Sequence, residues 1–91
     1  MFFAVTDVQP LHNYLLRLTF KNGEQKMFDM KPYLNTGIFK ALKDEKVFNS
    51  ARVSFDTVEW ENEADIDPET LYHESVAIPT RVSPIKYILP L

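Results

Sequence analysis

The stretch NYLLRLTFKNGEQKMFDM, residues 13–30, constrains the fold more than any other part of the chain. Apolar side chains occupy every second position from Tyr14 to Phe20, and this period of two is typical of a strand that buries one face. An Asn22-Gly23 pair follows, and a second strand-like run begins directly after it. The sequence therefore predicts an antiparallel β-hairpin.

The length of the hairpin loop follows from the apolar pattern, because a shift of one residue moves every side chain to the opposite face of the sheet. A two-residue turn would place Phe28 and Leu16 on opposite faces. A three-residue loop over residues 21–23, with its glycine in the left-handed region, instead pairs Leu16 with Phe28 and Tyr14 with Met30. We therefore predict the three-residue loop.

Weaker signals flank this hairpin. The first strand is predicted to end at about residue 9, because Pro10 has no amide hydrogen to give to a ladder. After the hairpin, apolar residues recur at steps of three and four, which predicts one short helix at about 37–43 with Thr36 as its N-cap. A turn at Pro32 precedes this helix in the prediction, and an irregular turn around Phe48 follows it.

The runs ARVSFD and TVEWEN predict a second hairpin, joined tightly at Asp56-Thr57. Asp67 and Pro68 then mark the start of a helix, since aspartate accepts amide hydrogen bonds at an N-cap and proline suits the first helical position. The predicted fold class is α+β, with two antiparallel hairpins plus short helices in a single domain over residues 1–75. The apolar members of the second hairpin are Val53, Phe55, Val58 and Trp60.

Composition supports one folded domain. A chain of 91 residues is too short to divide, and a hydrophobic content of 45% is enough for a core. The chain has no cysteine, so it has neither disulfides nor thiolate ligands, which fits a reducing cytosol. Its first ten residues lack the basic region of a signal peptide and the apolar length of a membrane span. We expect a soluble cytoplasmic protein that does not contact a membrane.

Charge and motifs limit the functions that we expect. A formal charge of -3 with scattered basic residues disfavours direct nucleic-acid binding, which depends on Lys and Arg clusters. His12 and His73 are the only histidines, and two glycines are too few for a phosphate-binding loop. We expect no cofactor and no enzymatic activity.

An acidic residue stands at every second position from Glu59 to Glu69. Such a ladder suggests oxygen ligands for Ca²⁺ or Mg²⁺, but ligands must converge within about 2.6 Å of the ion. Same-face residues of a strand are about 6.7 Å apart. We therefore favour a solvated strand face that leads into the N-cap at Asp67, and we expect no metal site.

Residues 76–91 contain three of the six prolines, at positions 79, 84 and 90, and these exclude a long helix. An edge strand, an extended arm and a flexible segment remain as alternatives. Exposed apolar side chains would be a liability here, so we expect this tail to pack on the domain or on a protein partner, including a second copy of the chain. The apolar residues concerned are Ile85, Tyr87, Ile88 and Leu89.

The most specific motif is a tryptophan followed by an aspartate, a proline and a Leu-Tyr pair. It comprises Trp60, Asp65, Pro68, Leu71 and Tyr72, and the run YLLRLTFKNGE accompanies it. With these residues the chain resembles, over about residues 5–72, the small bacterial family catalogued as domain of unknown function 2442. The resemblance implies an α+β domain of hairpins and short helices, and it brings no catalytic assignment.

The resemblance also implies regulation, because members occur alone or fused to helix-turn-helix segments and lie beside small proteins suspected of toxin-antitoxin pairing. Glu63 follows Asn62 where the family usually has glycine, which argues against a tight glycine turn there. No helix-turn-helix is recognisable from His73 onward, which weakens DNA binding by this chain alone.

We therefore expect a non-enzymatic protein-interaction module, such as an antitoxin-like partner or a homodimer. A nucleic-acid-associated regulator or antitoxin component is the first alternative, and a divalent-metal-binding protein is the second. Trp60 is more often a core residue than a partner anchor on such a strand. The motif residues considered for interaction are Trp60, Asp65, Asp67, Pro68, Leu71 and Tyr72.

Overall fold

The computed structural model describes residues 3–78, which form two antiparallel sheets and several short helices. The four-stranded sheet has the order β1-β2-β3-β7, and the three-stranded sheet has the order β4-β5-β6. This architecture confirms the predicted α+β class. The strands are Val5–Leu11 (β1), Leu15–Phe20 (β2), Gln25–Asp29 (β3), Arg52–Ser54 (β4), Thr57–Glu59 (β5), Asp65–Ile66 (β6) and Val76–Ile78 (β7). The α-helices are Glu45–Phe48 (α1) and Pro68–Glu74 (α2), and 3-10 helices cover His12–Tyr14, Lys31–Tyr33 and Gly37–Lys43.

The first hairpin has the predicted register. Leu16 lies opposite Phe28, and the amide of Met30 donates to the carbonyl oxygen of Tyr14 at 2.9 Å. Gly23 closes the loop with a φ of 91°, a conformation that glycine adopts without a Cβ clash. The three-residue loop is therefore confirmed.

The first strand is longer than predicted. It continues through Pro10, which lies opposite Leu16, to Leu11. The prediction of an end at residue 9 was wrong because β1 is an edge strand of its sheet, and proline is tolerated where the missing amide hydrogen faces outward.

The helical region differs from the prediction in type and in capping. Gly37–Lys43 is helical at the predicted place, but it is a 3-10 helix, and Thr36 makes no side-chain cap. A side-chain cap is found instead at the next helix, α1, where the Asp44 carboxylate accepts a hydrogen bond from the amide of Lys46 at 2.9 Å. Phe48 ends α1 rather than lying in an irregular turn.

The second hairpin forms with Val53 opposite Val58. Its loop consists of Phe55 and Asp56, because Ser54 pairs with Thr57. Phe55 is therefore not an apolar strand member, as the sequence had suggested, but a loop residue that is 97% exposed. The predicted joint at Asp56-Thr57 was one residue too late.

One hydrophobic cluster joins both sheets and α2. Because α2 follows the predicted Asp67 cap and begins at Pro68, its Leu71 is fixed in this cluster beside the strands. The most buried members include Leu16, Leu18, Phe20, Phe28, Met30, Leu42, Phe48, Val58, Trp60 and Leu71.

The first three residues of the predicted tail form β7, in which Val76 lies opposite Met27 and Ile78 opposite Gln25. The rest of the tail, with Ile85, Tyr87, Ile88 and Leu89, lies outside the described residues. No helix within residues 3–78 has both the length and the apolar character needed to cross a membrane.

Candidate functional site

Trp60, the centre of the sequence motif, is a core residue. Its side chain is fully buried, and its indole N–H donates to the carbonyl oxygen of Phe48 at 3.0 Å. The ring lies edge-on to Phe39 at 6.3 Å between centroids. A side chain without exposed surface is not available to a partner. The hydrogen bond of Trp60 instead joins the end of β5 to α1 within the domain.

A tight turn follows Trp60 even though it contains no glycine. The amide of Glu63 donates to the Trp60 carbonyl at 2.9 Å, and the amide of Trp60 donates to the Ala64 carbonyl at 2.9 Å. Glu63 has a φ of 70°, a region that residues with a Cβ enter at a cost. Asn62 supports the turn, because its side chain accepts from the Ala64 amide and donates to the Ile38 carbonyl. The sequence argued only against a glycine turn here, and the turn that forms is built without glycine.

The acidic ladder divides into groups with different roles. Glu59 lies opposite Asp65 on β5 and β6, and Arg52 contacts Glu59 at 3.5 Å. Asp67 caps α2, where hydrogen bonds from the hydroxyl and amide of Thr70 lower the pKa of its carboxyl group. Within residues 3–78, no three acidic or histidine side chains are arranged to hold a metal ion.

Tyr72, the last motif residue, contacts the first hairpin. Its hydroxyl donates to the Glu24 carboxylate, and the Asn22 amide donates to the same carboxylate at 2.8 Å. These two hydrogen bonds lower the pKa of Glu24, the Tyr72 bond having the larger effect. The bond to Glu24 in turn raises the pKa of the Tyr72 hydroxyl.

Neighbouring side chains also cover both faces of the Tyr72 ring. Phe3 stacks on it at 3.9 Å between centroids, and the Lys26 ammonium lies 3.9 Å from the ring centroid, within the range of a cation–π interaction. Phe20 meets the ring edge-on. These contacts fasten α2 to the four-stranded sheet.

The tip of the second hairpin is the most exposed apolar feature of the described residues. Phe55 and Asp56 have φ values of 50° and 68°, and positive values at both central positions are typical of a type I′ turn. The Asp56 carbonyl accepts a hydrogen bond from the Val5 amide at 2.9 Å, which holds the tip against β1. Phe55 is 97% exposed and Val53, two residues earlier, is 37% exposed.

The sequence contained the signal for this tip. Val58 and Trp60 must share the buried face, and pairing Val53 with Val58 leaves a two-residue loop at Phe55-Asp56. Hydrophobicity alone suggested the opposite, because a phenylalanine in a strand-like run is usually buried.

The family model described as protein of unknown function (DUF2442) matches residues 5–77. The chain belongs to this family. Neither the curated proteins nor the solved structures contain a match to the chain. The match reaches five residues further than the resemblance found in the sequence, and it includes Val76 and Ala77 of β7.

The DUF2442 motif residues of this chain serve mainly to build the fold. Trp60 and Leu71 are fully buried, Asp67 and Pro68 start α2, and Tyr72 fastens that helix to the first hairpin. Asp65 is an exposed residue of β6. The structure brings Tyr72 and Glu24 together, while the most exposed large apolar side chain within residues 3–78 is Phe55, outside the motif.

Proposed function

We propose that this chain is a non-enzymatic protein-interaction module whose contact surface is centred on Phe55. The observation that supports this proposal is a phenylalanine that is 97% exposed while it has a φ of 50°. A bulky residue with positive φ is a conformational outlier, and such strain tends to be retained at functional positions. Asparagine or glycine would suit the turn better, so folding alone does not favour phenylalanine here.

The surroundings of Phe55 indicate the chemistry of the partner. Val53 extends the apolar surface along β4, and the carboxylate of Asp56 stands beside it in the loop. Exposed aromatic anchors contribute most when they enter a pocket on the partner. The partner is accordingly a protein with an apolar pocket that has basic groups at its rim, and a basic toxin paired with this chain as antitoxin is one form of this proposal.

Charge gives a nucleic-acid partner less support. All thirteen acidic residues and eight of the ten basic residues lie in residues 1–78, which therefore have a formal charge of -5. Phosphate binding gains its free energy from cations that release counterions, and a surface of this charge repels phosphates.

A photo-crosslinking experiment in cells of the native host tests the proposal. The photoreactive analogue p-benzoylphenylalanine replaces Phe55 in one variant and the exposed Asn35 in a control variant. We expect a covalent adduct with a discrete protein from position 55 and none from position 35. No adduct from position 55, together with a monomeric mass in solution, contradicts the proposal.

A further inference from the structure

The dipeptide Asn22-Gly23 lies in the loop of the first hairpin, and both residues are exposed to solvent. Of the five asparagines in the chain, Asn22 alone is followed by glycine. Asparagine is one of the thermolabile residue types. Glycine has no Cβ to shield its own amide nitrogen, and the position that a Cβ would take at Gly23 has no atom within 4 Å. The Gly23 nitrogen is therefore sterically open to the side chain of Asn22.

The reaction open to this pair is deamidation, which is intramolecular and so needs no second reactant to be positioned. Solvent hydroxide removes the Gly23 amide hydrogen, the nitrogen bonds to Cγ of Asn22, and the Cγ–Nδ2 bond breaks, so that Nδ2 leaves as ammonia with a proton from water. Water then opens the cyclic imide at either carbonyl carbon. The net change is the uptake of one water and the loss of one ammonia. Residue 22 becomes aspartate, or isoaspartate with an extra carbon in the main chain.

Three hydrogen bonds hold the pair back from this reaction. The Gly23 amide donates to the Phe20 carbonyl oxygen at 2.8 Å, so the hydrogen that must leave is already bound. The Asn22 side chain accepts from the Glu24 amide at 3.0 Å, and its Nδ2 donates to the Glu24 carboxylate at 2.8 Å. Because these bonds fix the Asn22 side chain, attack by Gly23 requires the loop to open locally.

Tyr72 stabilises the closed loop from α2. Its hydroxyl donates to the same Glu24 carboxylate that accepts from Nδ2 of Asn22. The Tyr72 bond and, to a smaller extent, the Asn22 bond lower the pKa of Glu24, so this carboxylate is ionised at neutral pH. Glu24 thereby joins Asn22 to α2, and hydrogen bonds in such a network strengthen one another. Loss of the tyrosine hydroxyl leaves Glu24 free to turn away from the loop.

Deamidation breaks the same network. Aspartate at position 22 has no Nδ2 hydrogens, and its carboxylate replaces a donor that lies 2.8 Å from Glu24. Two carboxylates this close disfavour each other's ionised form. Isoaspartate also lengthens a loop that the bonds from Gly23 to Phe20 and from Phe20 to Glu24 hold at its present size. Either product therefore loosens Glu24 and, with it, α2.

We propose that Asn22 is a deamidation site whose reaction is controlled by the Tyr72–Glu24 contact, and that the product releases α2 from the first hairpin. The two effects are reciprocal, because a contact that favours the unreacted residue is itself weakened by the reaction. The contacts of this network do not include Phe55, so the inference holds or fails independently of the proposed function.

Peptide mass spectrometry of the full-length protein during incubation at neutral pH tests the control by Tyr72. Because hydrogen bonds must break first, we expect residue 22 to deamidate about tenfold more slowly in the folded wild type than in urea, and Tyr72→Phe to accelerate the folded reaction about threefold. Tyr33→Phe is the matched control, since it removes a hydroxyl that donates to Glu74 of the same helix at 3.1 Å, and it should leave the rate unchanged. Equal rates in the folded and unfolded wild type, or equal rates in the two variants, overturn the proposal.

Asn22→Asp reproduces the aspartate product and tests the release of α2, with hydrogen–deuterium exchange of the α2 amides as the readout. We expect this exchange to rise by about threefold, because the network loses a hydrogen bond. Asn35→Asp adds the same charge at another exposed asparagine and should leave the exchange unchanged. Equal α2 exchange in the two variants, or an equal rise in the β2 amides of Asn22→Asp, overturns the release of α2.

Discussion

The hydroxyl of Tyr72 donates a hydrogen bond to the carboxylate of Glu24, which lies 48 positions earlier in the chain. Tyr72 lies on α2 and Glu24 directly follows the first hairpin loop, so this contact joins α2 to the first hairpin. It also couples the two pKa values, lowering that of Glu24 and raising that of Tyr72.

This coupling predicts a pH dependence of stability. The folded-state pKa of Glu24 lies below its unfolded value of about 4.3. The ionised carboxylate therefore stabilises the fold fully above that pH, and this stabilisation is lost as the pH falls through the folded pKa. We expect Tyr72→Phe to be less stable than the wild type at pH 7 and to lose less stability on acidification below pH 4.3. Urea unfolding at a series of pH values measures both effects.

Glu24→Gln serves as the matched control, because it removes the titrating group and leaves the tyrosine hydroxyl. Like Tyr72→Phe, it should reduce the loss of unfolding free energy on acidification below about pH 4.3. If the wild type and both variants lose the same unfolding free energy over that pH range, the Tyr72–Glu24 contact does not have this role.

The buried indole of Trp60 gives a prediction of larger size. Trp60→Phe removes one of the two hydrogen bonds that the Phe48 carbonyl oxygen accepts, the other coming from the Ala51 amide at 3.3 Å, and it opens a small cavity. A buried hydrogen bond contributes about 0.5–1.5 kcal/mol, and the cavity adds to that, so we expect a loss of about 2 kcal/mol in the free energy of unfolding. Chemical unfolding followed by circular dichroism measures it, and a loss below 1 kcal/mol would be inconsistent with the buried hydrogen bond.

Asp67 and Asp65 form a matched pair within the acidic ladder. Asp67 accepts the Thr70 amide at 2.9 Å, and loss of an N-cap costs about 1 kcal/mol, so Asp67→Ala should destabilise the protein by about that amount. Asp65 lies directly opposite Glu59, and like charges in that position repel each other. Asp65→Asn should therefore be neutral or slightly stabilising. Equal effects of the two substitutions on unfolding would argue against the capping role.

Glu63 provides a test of backbone strain. With a φ of 70°, it occupies a region that costs about 1–2 kcal/mol for a residue with a Cβ, and glycine regains part of this at some cost in chain entropy. We expect Glu63→Gly to raise the free energy of unfolding by about 0.5 kcal/mol. Glu61→Gly in the same turn lacks this relief and should not stabilise; a gain there equal to that of Glu63→Gly would contradict the account.

Local patterns in the sequence predicted the elements that depend on neighbouring residues. The apolar parity of β2 and β3 decided between loops of two and three residues, because a two-residue loop would have turned Phe28 to the face opposite Leu16. Asp67 and Pro68 marked the start of α2, because both residue types satisfy helix-end requirements on their own.

Features that depend on distant contacts were not predictable in the same way. Tyr72 and Glu24 meet only after α2 has packed on the sheet, and the Tyr14 hydroxyl meets the Lys43 carbonyl only after the 3-10 helix Gly37–Lys43 has packed beside the first hairpin. The 3-10 geometry of Gly37–Lys43 was missed because side-chain periodicity does not separate short 3-10 and α-helical segments. The exposure of Phe55 was missed because hydrophobicity outweighed the turn pattern.

If Phe55 serves a protein contact at a cost in stability, Phe55→Asn should separate the two effects, because asparagine tolerates positive φ and lacks the aromatic ring. We measure the free energy of unfolding of this variant and the yield of its complex isolated from the native host, with Phe55→Ala as a control that removes the ring but keeps a strained Cβ. We predict a gain of about 1 kcal/mol in the free energy of unfolding for Phe55→Asn alone and loss of the complex in both variants. A Phe55→Asn variant that is less stable than the wild type, or that still forms the complex at the wild-type yield, would show that Phe55 does not have this role.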